Sequence, residues 1–276
     1  MLLVAIVLTA VVRIQPALAQ GAGDLIVAPT RVVLEGRTRS AQLTLSNTGA
    51  NTSTYRISIV NLRMNDDGSV TEITDPAEGQ KFADGLFRYS PRQITLAPAE
   101  SQTVRILLRK PKDLADGEYR SHIFFRAVPD EAGQSINQTA TGDGLQIRLI
   151  PIYGITLPIV IRHGKTDVTA SLSELKISPP DENNPLPTLG FRISRGGNAS
   201  AFGDFTATHI SGSGEKTIIG EVQRLAVYTP NKSRTVKISL RVPESLTLSS
   251  GEIHLAFRAT EDDGRKMLAE TTLKLP

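Results

Sequence analysis

Tyr55-Arg56-Ile57-Ser58-Ile59 alternates apolar and polar side chains at a period of two. In an extended chain that period sends Tyr55, Ile57 and Ile59 to one face and Arg56 and Ser58 to the other, the pattern of a half-buried strand. The alternation recurs at Leu43-Thr44-Leu45, at Val104-Arg105-Ile106 and from Ile123 to Val128. No long stretch keeps apolar residues at i, i+3, i+4 and i+7, so the chain is expected to be all-β. Turn chemistry separates the runs. Asn65-Asp66-Asp67-Gly68 and Asp262-Asp263-Gly264 carry Asp-Gly pairs, whose tolerance of left-handed backbone suits hairpins.

Working outward, one set of strands is expected near residues 25–34, 41–47, 55–61, 70–73, 87–96, 102–108, 118–128 and 145–161. A second set is expected near 168–177, 188–195, 202–209, 216–219, 225–228, 233–241, 251–259 and 266–275. Seven or eight short strands per hundred-odd residues mark a β-sandwich. The fold expected is therefore all-β, two immunoglobulin-like β-sandwich domains. Arg162-His163-Gly164-Lys165-Thr166 lies between the sets. It places the domains at 20–162 and 163–276. Pro179 to Pro187 reads as a loop inside the second set.

Leu2 to Val12 is almost unbroken apolar sequence, and Ala17-Leu18-Ala19 follows it as a small-x-small cleavage pattern. Residues 1–19 are therefore expected to be a cleaved signal peptide; the run is too short for a spanning helix. The absence of Lys or Arg before the run departs from the usual signal pattern. Leu149 to Ile161 is also apolar, but it contains Pro151, Gly154 and Pro158 and reads as strand. The product is expected to be exported and not inserted in a membrane.

Composition bounds the chemistry. The 276 residues are 39% hydrophobic and 21% charged, enough for large cores without staples. A net charge of +3 with no basic run gives no reason to expect a nucleic-acid partner. With no cysteine, disulfides, thiol catalysis and Cys-based zinc sites are excluded. Aromatics at 5% and no Trp speak against a carbohydrate site of stacked rings. His122, His163, His209 and His254 stand singly in or beside strands, at no metal-ligand spacing. Gly212 to Thr217 lacks the glycines and the following helix of a phosphate loop and reads as a hairpin turn. No nucleophile elbow occurs. No enzyme activity, metal or cofactor is expected.

One strand is overlong: Leu145 to Ile161 would extend over roughly 55 Å. Leu145, Ile147 and Leu149 share one face, with Gln146 and Arg148 on the other. On pattern alone, an ordinary final strand followed by a connector is the better reading. The competing reading is an exposed edge that pairs with another chain.

Several stretches, taken in order, resemble the PapD-like periplasmic chaperones of the chaperone–usher pilus pathway. Ala28-Pro29-Thr30-Arg31-Val32-Val33-Leu34-Glu35-Gly36 resembles the family's first strand. Leu43-Thr44-Leu45-Ser46-Asn47 resembles the second. Ser90 to Pro98, with Ser101-Gln102-Thr103-Val104-Arg105, follows a further family stretch. Gly117 to Pro129 resembles the sixth strand and Leu145-Gln146-Ile147-Arg148-Leu149 the seventh. The resemblance covers most of residues 25–161 and is looser beyond.

What the resemblance implies is a chaperone that inserts its seventh strand into the open groove of a pilin-like subunit, a case of strand addition. Leu145, Ile147 and Leu149 would fill the groove, and the edge reading of the overlong strand becomes the better one. The subunit would then pass to an outer-membrane usher. An exposed edge of this kind can also pair with a second copy of the chain. The family holds the subunit's C-terminal carboxylate with an arginine and a lysine in the interdomain cleft. Arg31 matches the arginine. The lysine is expected near Gly154, and Leu149 to Ile161 contains no basic residue. This departure implies a divergent branch of the family. Arg88 is the candidate substitute, and Arg92 a weaker one. Location in the periplasm follows from the same resemblance. The alternative is a secreted two-domain immunoglobulin-like structural or adhesive protein with no chaperone role.

Overall fold

The computed structural model describes residues 24–76, 78–129, 152–182 and 184–276. The signal segment 1–19, the stretch Asp130 to Gly144, and Leu145, Ile147 and Leu149 lie outside the described residues.

Two sheets build the first domain. One is four-stranded, in the order β1 (Leu25–Ala28), β3 (Ser40–Asn47), β9 (Ser101–Leu108), β7 (Phe87–Ser90). The other is five-stranded, in the order β2 (Val32–Leu34), β11 (Gly154–His163), β10 (Gly117–Val128), β4 (Ser53–Val60), β8 (Gln93–Leu96). A small hairpin, β5 (Leu62–Met64) with β6 (Val70–Glu72), stands apart. The alternation works as read: Tyr55 and Ile57 are buried while Arg56 is exposed, and Val104 and Ile106 are buried while Arg105 is exposed. These side chains join Leu43, Leu45, Ile123 and Phe125 in one core between the sheets. Asn47 ends β3 as a clamp. Its buried Nδ2 donates to the carbonyls of Asn51 at 2.7 Å and Leu96 at 3.0 Å, and its Oδ1 accepts from the Gly49 N–H.

The second domain places β12 (Val168–Ser178), β13 (Thr188–Gly197) and β16 (Ser233–Ser239) in one sheet. The facing sheet runs β15 (Lys216–Val227), β14 (Ala201–Ile210), β17 (Glu252–Ala259), β18 (Met267–Lys274). Phe191 of β13 stacks on Phe205 of β14, centroids 4.3 Å apart, at the middle of the core. The architecture is all-β, two immunoglobulin-like sandwiches. Among the described residues no helix is long and apolar enough to cross a membrane.

Four expected strands differ. The run 25–34 divides at Pro29 into β1 and β2, which belong to opposite sheets: β1 pairs antiparallel with β3, and β2 pairs parallel with β11. Proline has no N–H to continue a ladder. The run 87–96 divides at Pro91 into β7 and β8, also on opposite sheets, for the same reason. Conversely 216–219 and 225–228 are one strand, β15. Register shifts against β14 fall on either side of the regularly paired Gly220-Glu221, at Ile219 and at Gln223-Arg224, and Asp204 Oδ1 accepts the N–H of Arg224, whose φ is 57°. The Asn65–Gly68 and Gly212–Thr217 turns form as expected, with φ of 87° at both Gly68 and Gly214.

Candidate functional site: an arginine at the domain junction

Arg31 occupies the two-residue gap between Pro29 and β2, where the chain crosses from one sheet to the other. That crossing aims its side chain at the second domain. Nη1 donates to Asp263 Oδ2 at 3.2 Å, and the guanidinium lies over the Phe202 ring, 4.0 Å from the centroid. The side chain is only 10% exposed. Its Nε and Nη2 are buried and meet no partner. A buried N–H left unpaired costs about 1–3 kcal/mol, so such donors are strongly biased toward an incoming acceptor. Nε–H and Nη2–H form one edge of the planar guanidinium, the geometry that grips a carboxylate through two parallel hydrogen bonds.

A second arginine stands across Asp263. Arg162, near the end of β11, lies 4.0 Å from Asp263 Oδ1, and its Nη1 donates to Glu35 at 3.0 Å. Its Nε donates to Glu118 Oε2 at 3.2 Å. Glu118 of β10 is fully buried. Its Oε1 accepts the Ser200 hydroxyl and its Oε2 the Ser200 N–H at 3.2 Å, so this carboxylate ties the domains together. Burial alone would ease the proton off Arg162, but Glu118 and Glu35 outweigh it and hold its pKa above the ordinary value.

Beside this network lies a small apolar cluster of Met64 from the first domain with Phe202, Ala226 and Tyr228 from the second. Arg120 of β10 stacks over Tyr228, 4.0 Å from the ring centroid, and leaves a buried Nη1 unpartnered. Burial raises the Tyr228 pKa, against the pull of Arg120 and Arg31. The hairpin β5–β6 completes the junction: Thr235 N–H donates to the Asp66 carbonyl at 2.8 Å and Asn231 Nδ2 to the Met64 carbonyl at 3.0 Å.

The structure does not bring Arg88 to Arg31. Arg88 is exposed on β7, the edge of the four-stranded sheet, with Nη1 3.5 Å from the Phe87 carbonyl. No contact among the described residues joins it to the second domain. Arg92 is exposed and stacks on Tyr89 at 3.9 Å. Gly154 has no room for a lysine: a Cβ there would run into the Phe124 ring. The basic neighbour that the sequence reading lacked is Arg162, one residue beyond the Leu149–Ile161 stretch. Asp263 was legible only as a turn residue, because nothing local marks a turn carboxylate as an arginine's partner. The histidines stand apart: His122 and His209 are buried, and His254 faces Glu270 at 3.3 Å. No cluster of three or more His, Cys, Asp or Glu that could hold a metal occurs among the described residues.

Residues 24–150 match the family of the pili and flagellar-assembly chaperone PapD N-terminal domain. By that match the N-terminal domain of this chain belongs to the PapD-like chaperone family. No curated protein sequence matches significantly. Among solved structures, the chain is similar to the YadV chaperone at 13% identity, covering 91% of this chain and 100% of that one, with a TM-score of 0.45. It is similar to the CupB2 chaperone of Pseudomonas aeruginosa at 14% identity, covering 91% and 100%, with a TM-score of 0.44. It is also similar to a chain of the complex between the SafA pilin and the SafB chaperone of Salmonella enterica, at 16% identity, covering 91% and 96%, with a TM-score of 0.42.

Proposed function

We propose that this chain is a periplasmic, non-enzymatic chaperone for pilin-like subunits. The segment 1–19 directs export and is removed. The domain 20–162 binds the subunit, and 163–276 supplies the other wall of the cleft. Leu145, Ile147 and Leu149 enter the subunit's open groove as an added strand, each fully buried side chain contributing on the order of 2 kcal/mol. Arg31 holds the subunit's C-terminal carboxylate and so fixes the register of that strand. The capped subunit then passes to an outer-membrane usher.

The observation that carries this reading is the free edge of Arg31. Asp263 occupies Nη1, while Nε and Nη2 are buried and open to a two-point carboxylate contact. Asp263 and the Phe202 face hold the guanidinium still, so little entropy is lost on binding. Because Arg88 is remote, Arg31 does this without it.

The test is a pull-down of the tagged protein from the periplasm of its own host, under conditions where pili are made. A small exported β-protein should copurify with the wild type, disappear with Ile147→Asp, and bind about tenfold or more weakly to Arg31→Ala. Undiminished capture by Ile147→Asp would remove the strand-addition step. Undiminished affinity in Arg31→Ala would remove Arg31 from the site.

A further inference from the structure

Beside the junction lies an open cleft of about 840 Å³ that shares Arg162 with the Arg31 site but not Arg31 itself. Three chain segments form it: the turn after β2, the chain leaving β9, and the end of β11. Arg39, Arg109, Lys110, Lys112 and Arg162 line it, against one carboxylate, Glu35. Arg162 already neutralises that carboxylate. Arg39, Arg109 and Lys112 have no anionic partner among the described residues. Lys110 is fixed in place, its Nζ donating to the Arg162 carbonyl at 2.7 Å. Its pKa is lowered, by burial first and by the charge of Arg39 second, so the cations here already repel one another. Glu118 and Asp263 face Arg162 from the junction side, at 3.2 and 4.0 Å, and Asp116 accepts the N–H of Lys165 at 3.1 Å.

We infer that this cleft binds an acidic peptide segment of a partner protein. Repelling cations gathered in a concave site focus a positive field and gain most from a multivalent anion. The volume falls in the range of about 300–1,000 Å³ usual for ligand sites and far exceeds one oxyanion. Single-stranded nucleic acid needs ring faces to stack on, and the lining offers none but His163. A flat bilayer cannot enter a concavity. Guanidinium forks at Arg39 and Arg109 suit paired carboxylates, and Leu108 and Pro111 give an apolar wall for the intervening side chains.

The test uses the full chain and a fluorescein-labelled Glu-Leu-Glu-Glu-Leu-Glu peptide, read by anisotropy. This experiment needs no pilin-like client, so its outcome is independent of the chaperone reading. The wild type should bind the peptide, weaken as salt rises, and bind the Gln counterpart about tenfold or more weakly. The pair Arg109→Glu and Lys112→Glu should lose about tenfold or more, while Lys216→Glu with Lys237→Glu, a reversal of equal size on the second domain, should stay within about twofold. All four sites are exposed, so the fold is expected to survive, and circular dichroism checks it. No binding by wild type would overturn the inference. Equal loss in both double variants would reduce it to diffuse attraction by net charge. Displacement by inorganic phosphate as effective as by peptide would make the cleft a single-anion site.

Discussion

His122 is 5% exposed on β10 and carries an Nδ1 without a partner. Burial, aided by the charge of Arg120, holds its pKa down from 6.5 to about 3. Between those values the unfolded chain takes up a proton that the folded chain refuses. Stability from this residue is therefore present above about pH 6.5 and is lost as pH falls, by about 1.4 kcal/mol per unit. Going from pH 7 to pH 5 should cost the wild type about 2 kcal/mol more than the variant His122→Asn, as read by urea denaturation. Equal pH slopes in the two proteins would show that position 122 is not the source. Arg31 illustrates a different point at this scale. Its candidacy was legible from the Ala28-Pro29-Thr30-Arg31 motif, but its partners, Asp263 and Phe202, lie more than 170 residues away in sequence. The same holds for Arg162: a strand-end arginine acquires a role only from what faces it.

Elements follow local chemistry where that chemistry is strong. Period-two alternation placed β3, β4 and β9, because each has one face on a core and one toward water. Proline decided where 25–34 and 87–96 divide, yet sequence could not say that the pieces join opposite sheets. Residues 220–224, left between two expected strands, continue β15, since the register shifts that carry the strand through depend on β14. The second core is expected to be most sensitive at the Phe191–Phe205 stack. Phe205→Ala should cost about 3–5 kcal/mol in chemical denaturation, whereas Leu107→Ala, on the outer face of β9 and 59% exposed, should change stability by less than about 0.5 kcal/mol. Similar losses at both positions would mean that the burial assigned here is wrong.

The two sandwiches are joined by a short list of contacts, and one buried carboxylate sits at their centre. Glu118 binds Arg162 in its own domain and Ser200 in the other. Glu118→Ala leaves Arg162 with Glu35, on the exposed side, and the longer contact to Asp263, and should cost about 3 kcal/mol. Glu35→Ala, whose side chain is 54% exposed, should cost less than about 1 kcal/mol. Thermal unfolding of the two variants beside the wild type decides this; a Glu118→Ala protein as stable as wild type would show that the junction does not depend on the ion pair. The basic cleft shares Arg162 with this network, so an acidic ligand there would compete with Glu35 for one guanidinium.

The all-β class, the two groups of strands, most turns and the candidacy of Arg31 are legible in the chain before it folds. Those follow from side-chain period, turn residues and a local motif, all of which act over a few neighbouring residues. Which basic groups from distant segments stand together depends on how the strands and domains pack. That packing set Arg31 and Arg162 around Asp263, left Arg88 alone on an outer edge, and brought Arg39 and Arg162 to the basic segment Arg109-Lys110-Pro111-Lys112, whose own charges are neighbours in the chain. The physical reason is that charge interactions act through space, over a Debye length of about 8 Å in physiological salt. Sheet order and domain docking determine which residues come within that distance, and neither is written in any short stretch of chain.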